Sequence, residues 1–222
     1  MTRERIVETD QGIQDPCSVA MYDEMLRHLR DRGWMETPGI IRSGITTGGA
    51  LEVGPGPGYL GLEWLKRTVE TNLTGLEISG AMIAVAERNA LEYGLSARVR
   101  YVSGNALAMP FAADTFAAAF SNGSLHEWQD PQKVFNEVYR VLKPGGRFFI
   151  SDLRRDMNPL LRWFLKRSTR PKQIVSGLES SINAAYTPAE IRGIVAGTLF
   201  RETAVRANPV GLEITGRKPS DS

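Results

Sequence analysis

Apolar positions along the chain alternate between short continuous runs and three-to-four-residue spacings, so strands and helices are expected in alternation. Residues 18–32 predict a leading helix, with Val19, Tyr22, Met25, Leu26 and Leu29 on one face. Ala50-Leu51-Glu52-Val53 reads as a compact strand running into Gly54; the helix after it carries Leu60, Leu62, Leu65 and Val69. Residues 73–78 and 98–103 are further strands, and Ser79 is placed to cap the helix between them. Phe116 to Ser121 is almost uninterrupted apolar sequence, as in a strand covered on both faces. Asp130-Pro131 pairs a capping carboxylate with proline at the first helical position, and Val134, Phe135, Val138, Tyr139, Val141 and Leu142 then share a face. Lys143-Pro144-Gly145-Gly146 stops that helix before a strand at 147–151. Asn158-Pro159 and Thr187-Pro188 open two more helices. The runs 201–207 and 211–217, joined by Asn208-Pro209-Val210, predict an antiparallel hairpin at a sheet edge. Five β/α alternations imply an α/β fold with a mostly parallel sheet and right-handed crossovers.

Composition narrows the class. No apolar run approaches the roughly 20 residues a membrane-spanning helix needs, so no stable membrane insertion is expected. The opening MTRERIVETDQG lacks an apolar signal core, and a single cysteine, Cys17, excludes an internal disulfide; both point to the cytoplasm. Two histidines and one cysteine argue against a zinc site, and no metal is expected. A net charge of +2, with no aromatic interleaving of basic residues, argues against nucleic acid as a partner. The charge is nevertheless uneven, because residues 151–172 hold seven basic side chains against Asp152 and Asp156.

The strongest local signal is Gly54-Pro55-Gly56-Pro57-Gly58 between a strand and a helix. Glycines there let the backbone turn sharply and approach a ligand, and the following helix presents unpaired N–H groups. The spacing differs from the dinucleotide G-x-G-x-x-G. Glu77, at the end of the second strand and about 20 residues on, is placed to accept bonds from ribose hydroxyls. The plain alternatives are a glycine turn with no ligand and a solvated loop glutamate.

Glu52-x-Gly54-x-Gly56-x-Gly58 resembles the first motif of class I S-adenosylmethionine-dependent methyltransferases, and Glu77 matches their ribose-binding acid. Gly104-Asn105-Ala106 followed by Met109-Pro110-Phe111 resembles their adenine-flanking loop. Phe116 through Asp152, with Leu125-His126-Glu127-Trp128 and Arg140-Val141-Leu142-Lys143-Pro144-Gly145-Gly146, is similar to the small-molecule (ubiquinone/menaquinone-type, type 11) branch. The resemblance covers about residues 48–152. It implies a Rossmann-like seven-stranded sheet with a reversed terminal strand and helices on both faces, within one domain. Residues 1–47 would be a helical cap, 48–152 the cofactor-binding core and 153–222 an acceptor-side segment ending in the hairpin. It further implies S-adenosyl-L-methionine as cofactor. Glu77 would hold the ribose, Asn105 and Ala106 would meet the adenine, and Gly54 and Gly56 would line the methionine portion, with Glu52, Gly58 and Ile78 also among the cofactor-binding residues. Ser121 and Asn122 would lie under the sulfonium end. Three positions depart from the family pattern: Asn105 stands where aspartate is usual, Phe116-Ala117 replaces Phe-Asp, and His126-Glu127 replaces a histidine pair.

His126, just past the fourth strand, is the candidate general base, with Glu127 as an orienting partner or an exposed neighbour. Asp152 reads most simply as a partner of Arg154 or Arg155. Tyr22 and Trp128 are candidate cap or acceptor contacts, and His28 reads as a surface or packing residue. Arg154 and Arg155 are candidate contacts to an acidic small-molecule acceptor. The basic, apolar segment 154–172 has several readings: a lid over the acceptor pocket that carries such arginines, a homodimer or partner surface, a membrane-surface helix, or ordinary packing with a solvated face. The rival functions are a nicotinamide-dependent oxidoreductase, which shares the glycine turn and ribose acid, and a non-catalytic S-adenosylmethionine-binding protein.

Overall fold

In a computed structural model, which describes residues 4–6 and 12–220, those residues form one seven-stranded sheet with helices on both faces. Most of the opening MTRERIVETDQG, where no apolar signal core is expected, lies outside the described residues. The strand order is β3 (Val99–Ser103), β2 (Thr71–Glu77), β1 (Gly48–Val53), β4 (Phe116–Asn122), β5 (Leu142–Leu153), β7 (Gly211–Arg217), β6 (Glu202–Ala207). β7 alone is reversed; it runs antiparallel to β5 on one side and to β6 on the other. This is the reversed terminal strand that the sequence predicts.

Alternation along β1 shows how the layers are built. Leu51 and Val53 join a core with Phe135, Val138 and Val141 of α5 (Pro131–Val141) and Ile191 of α8 (Pro188–Ala196). Ala50, one residue out of phase, joins the opposite core with Ile40 of α2 (Thr37–Arg42) and Leu60, Trp64 and Leu65 of α3 (Tyr59–Lys66). Helix starts follow their caps. Asp15 accepts from Ser18 N at α1 (Pro16–Asp31), Ser79 from Met82 N at α4 (Gly80–Glu92), and Asp130 from Lys133 N at α5. Asn158 caps α6 (Pro159–Ser168), and Thr187 with Glu190 forms a reciprocal capping box at α8.

Three sequence expectations change. α3 ends at Lys66, so Val69 lies beyond it at 80% exposure. Lys143-Pro144-Gly145-Gly146 does not separate helix from strand: β5 starts at Leu142, and a register shift against Phe116–Ala118 absorbs the irregularity. α7 (Val175–Ala184) had no sequence signal, because VSGLESSINA mixes small, polar and apolar residues without a strong face.

The chain runs from β1 outward to β2 and β3, then crosses back to β4 and β5. The order therefore reverses between β1 and β4, and the crevice beyond their carboxyl ends is the ligand position in sheets of this type.

Candidate active site

A cavity of about 580 Å³ opens at that crevice. Its floor is the turn after β1. Gly54 (φ 67°) and Gly56 (φ 52°) both take left-handed conformations that other residues rarely adopt. A Cβ on Gly54 would stand 2.7 Å from Cβ of Ser124, and one on Gly56 would project beneath the Tyr22 ring at 3.5 Å. Bare backbone thus faces the cavity where a ligand would need closest approach.

Glu77 stands at the tip of β2, 7% exposed and on the cavity wall. Its Oε1 accepts from the N–H groups of Ile78 and Ser79, and its Oε2 from Gly56, each at 2.9 Å. Burial pushes its pKa up, while the Ser79, Gly56 and Ile78 amides oppose the shift. Three backbone bonds fix the carboxylate and leave further acceptor capacity on Oε2.

On the far side, Asn105 and Ala106 line the cavity, and Asn105 Oδ1 accepts from Leu107 N at 2.8 Å. The amide that replaces the family's aspartate thus shapes its own loop.

His126 lies on a short 3₁₀ turn (Leu125–Glu127) after β4, 5% exposed and on the cavity wall. Its Nδ1 is 3.0 Å from both carboxylate oxygens of Asp152, at the end of β5. The same carboxylate accepts from His126 N at 2.8 Å and from Leu153 N at 2.7 Å. A carboxylate accepts, so Nδ1 is the donor in this pair, and the neutral imidazole would keep its lone pair on Nε2. Asp152 is therefore the partner of His126, which corrects the expectation that it pairs with Arg154 or Arg155. Those arginines are engaged elsewhere: Arg154 grips Asp156 at 2.7 and 2.8 Å, and buried Arg155 pairs with Glu190 and donates to the carbonyl of Ala185. Neither lines the cavity.

Two braces hold this frame. Arg5 donates to His126 O at 2.8 Å and to Ala184 O at 2.6 Å, with its guanidinium 4.2 Å from the Tyr186 ring centroid. Asp23, buried on α1, accepts from Tyr59 (2.9 Å), Arg88 (2.9 Å), Arg27 (3.2 Å) and Asn89 (3.3 Å). Asn89 also donates to Pro57 O at 2.9 Å, which ties α1 and α4 to the glycine turn. With α1 so pinned, Tyr22, Met25, Leu26 and Leu29 line the cavity instead of the core, and His28, expected as a surface or packing residue, is exposed and also lines it.

The structure brings Tyr22, Gly54, Gly56, Glu77, Ile78, Asn105, Ala106, Asn122, His126 and Trp128 to one cavity. Glu52, Gly58 and Ser121 do not line it. The Ser121 hydroxyl donates backward to Val53 O at 2.6 Å. Glu52 shares the phase of Ala50 and lies under α3, where a Cβ on Gly61 would stand 2.3 Å from its Oε2. Glu36 and Glu213 also line the cavity, unanticipated by the sequence reading. Burial raises the pKa of Glu36, and the charge of Glu213 adds to the shift.

Buried Glu52, whose Oε2 has no hydrogen-bond partner, has a measurable signature. Burial, and then the charge of Glu77, push its carboxyl from 4.5 up to about 8. The folded chain holds this proton longer than the unfolded chain does. Stability is therefore greatest at low pH and is lost as pH rises from the unfolded value through the folded one. Urea unfolding of the parent should weaken between pH 5 and 8 by up to about 4 kcal/mol from this group. Glu52→Gln should flatten that slope; parallel pH dependences would show that Glu52 is ionised in the folded protein.

Residues 51–150 match a family model described as Methyltransf_11, a methyltransferase domain. The chain is 31% identical over 117 residues to the ubiquinone/menaquinone biosynthesis C-methyltransferase UbiE of Cereibacter sphaeroides, covering 53% of this chain and 47% of that protein. It is 37% identical over 113 residues to the uncharacterized methyltransferase YdaC of Bacillus subtilis, covering 50% of this chain and 60% of that one. The chain spans about half the length of the curated relatives it matches. In fold it is similar to a SAM-dependent methyltransferase from Aquifex aeolicus, with TM-score 0.71, 18% identity and coverage of 92% of this chain and 99% of that one. It is also similar to the [4+2]-cyclase SpnF, with TM-score 0.58, 21% identity and coverage of 99% and 100%. Residues 51–150 are thus similar in sequence to a methyltransferase domain, and the fold is that of S-adenosylmethionine-dependent methyltransferases.

Proposed function

We propose that this protein transfers a methyl group from S-adenosylmethionine to a small-molecule acceptor. The observation that carries the reading is one cavity holding, on its wall, both a backbone-fixed carboxylate beside a bare glycine turn and a carboxylate-anchored imidazole. The cavity volume falls within the range of roughly 300–1,000 Å³ usual for small-ligand sites.

The residues fit the cofactor. Glu77 would accept from the ribose, Gly54 and Gly56 present backbone without side-chain obstruction, and Asn105 with Ala106 would flank the adenine. When bound, the cofactor supplies an electrophilic methyl on a sulfonium that departs as a neutral thioether. The chain's part is alignment and the exclusion of water. Tyr22, Met25, Leu26 and Leu29 cover the crevice, and Trp128 packs edge-on against Phe135 at 5.8 Å between ring centroids. His126 takes the acceptor's proton at Nε2, and Asp152 stabilises the resulting imidazolium at Nδ1. Arg154 and Arg155 lend no support to an acidic acceptor, since their partners are Asp156 and Glu190.

Calorimetric titration with S-adenosylmethionine, its demethylated product and NAD is the direct test. Binding of the first two and not the third is expected. Preference for NAD would replace this reading with the oxidoreductase one. Binding without methyl transfer to any component of a metabolite extract, followed with labelled cofactor, would leave a non-catalytic binding protein.

A further inference from the structure

The helix α6 has two faces with different surroundings. Leu165 and, just past its end, Thr169 line the cavity. Leu160, Trp163 and Phe164 point the other way at 72%, 59% and 58% exposure. Positions 160, 163, 164 and 167 follow the i, i+3, i+4, i+7 spacing, so Arg167 continues the same outward stripe. Beyond it stand Arg170, which also lines the cavity, and Lys172, both exposed.

The cations of this region fall into two sets. Arg162 and Lys166, on the inward side, meet Glu179 of α7 at 3.3 and 2.6 Å. Among the described residues, Arg167, Arg170 and Lys172 meet no carboxylate; Arg170 and Lys172 donate to backbone carbonyls of their own segment. The outer face is therefore a tryptophan, a phenylalanine and a leucine bordered by three exposed cations without acidic partners.

We propose that this face docks on an anionic lipid surface, with Leu160, Trp163 and Phe164 seated at the headgroup–acyl boundary and Arg167, Arg170 and Lys172 against lipid phosphates. Charge decides the occupant. Among the described residues Arg167, Arg170 and Lys172 meet no carboxylate, so the face is complemented by an occupant that carries anions beside an apolar layer. An anionic bilayer offers both what the aromatic side chains need and what the cations need. No helix among the described residues is long and apolar enough to cross a membrane, so docking here is peripheral.

The full chain, without cofactor, is sedimented with vesicles of phosphatidylcholine alone or of equal parts phosphatidylcholine and phosphatidylglycerol, at low and high salt. Pelleting with the phosphatidylglycerol vesicles, stronger by about a hundredfold in partition than with phosphatidylcholine and reversed by salt, is expected from three interfacial cations. The triple variant Leu160→Ser, Trp163→Ser, Phe164→Ser should stay in the supernatant, and Arg167→Gln with Lys172→Gln should lose most of the lipid preference. All five side chains are exposed, so both variants should keep the parent's thermal melt. Parent protein that stays in solution with both vesicles, or that pellets equally with both, overturns the proposal. So does a dimer in sedimentation velocity that the triple-serine variant splits, since the face would then join two copies. None of these readouts needs the methyltransferase assignment to hold.

Discussion

His126→Ala is expected to lower kcat by about 10²–10⁴-fold on an acceptor whose nucleophile must lose a proton, while calorimetric affinity for S-adenosylmethionine stays close to the parent's. The imidazole is on the cavity wall and its orientation is fixed twice over. Asp152 holds Nδ1 and also takes the backbone N–H of the same residue, while Arg5 holds its carbonyl. A base whose tautomer is imposed in this way presents Nε2 without needing to reorganise. Asp152→Asn should reproduce part of the loss, because an amide can donate toward Nδ1 and favour the wrong tautomer. Unchanged turnover in both variants would mean that the acceptor sheds its proton unaided and that the pair is a loop anchor.

Glu77→Ala is expected to weaken binding of S-adenosylmethionine by about 1–3 kcal/mol, roughly five- to 150-fold in Kd, the range for a lost charged hydrogen bond. Part of that loss is indirect. The carboxylate also receives the amides of Gly56, Ile78 and Ser79, so its removal leaves buried donors without partners and frees the glycine turn. Glu77→Gln separates the two effects, since its carbonyl can still accept while the charge is gone. Because burial raises the pKa of Glu77, its ionised form is depleted as pH falls, and parent affinity should decline toward acid. A Glu77→Ala protein that binds the cofactor as tightly as the parent would place the ribose elsewhere.

Much of this frame is legible in the chain because it depends on local chemistry. The glycine turn, the acid at the tip of β2, the Asp130-Pro131 start of α5 and the terminal hairpin each announce themselves within a few residues. What is not legible depends on the sheet. Asp152 lies 26 positions from His126, and the two meet because β4 and β5 pair in parallel, with Asn122 opposite Ser151. In the sequence, Asp152 stands beside two arginines, and proximity along the chain suggests the wrong partner. Glu52 misleads for a related reason: its motif position suggests the ligand, while strand alternation puts it beneath α3. The apolar stripe of α1 suggests core packing, and only the Asp23 network shows that most of it lines a cavity. α7 left no trace because its ten residues lack a periodic face.

Arg5 carries a consequence for the whole pocket. One guanidinium near the start of the chain spans two backbone segments, at His126 and at Ala184, and stacks on Tyr186 as it does so. A little further along that stretch, Gly12 and Ile13 form part of the cavity lining. A substitution at Arg5 therefore reaches the imidazole through the backbone carbonyl of His126. Under the proposed function, turnover would be open to tuning from a side chain that meets neither reactant.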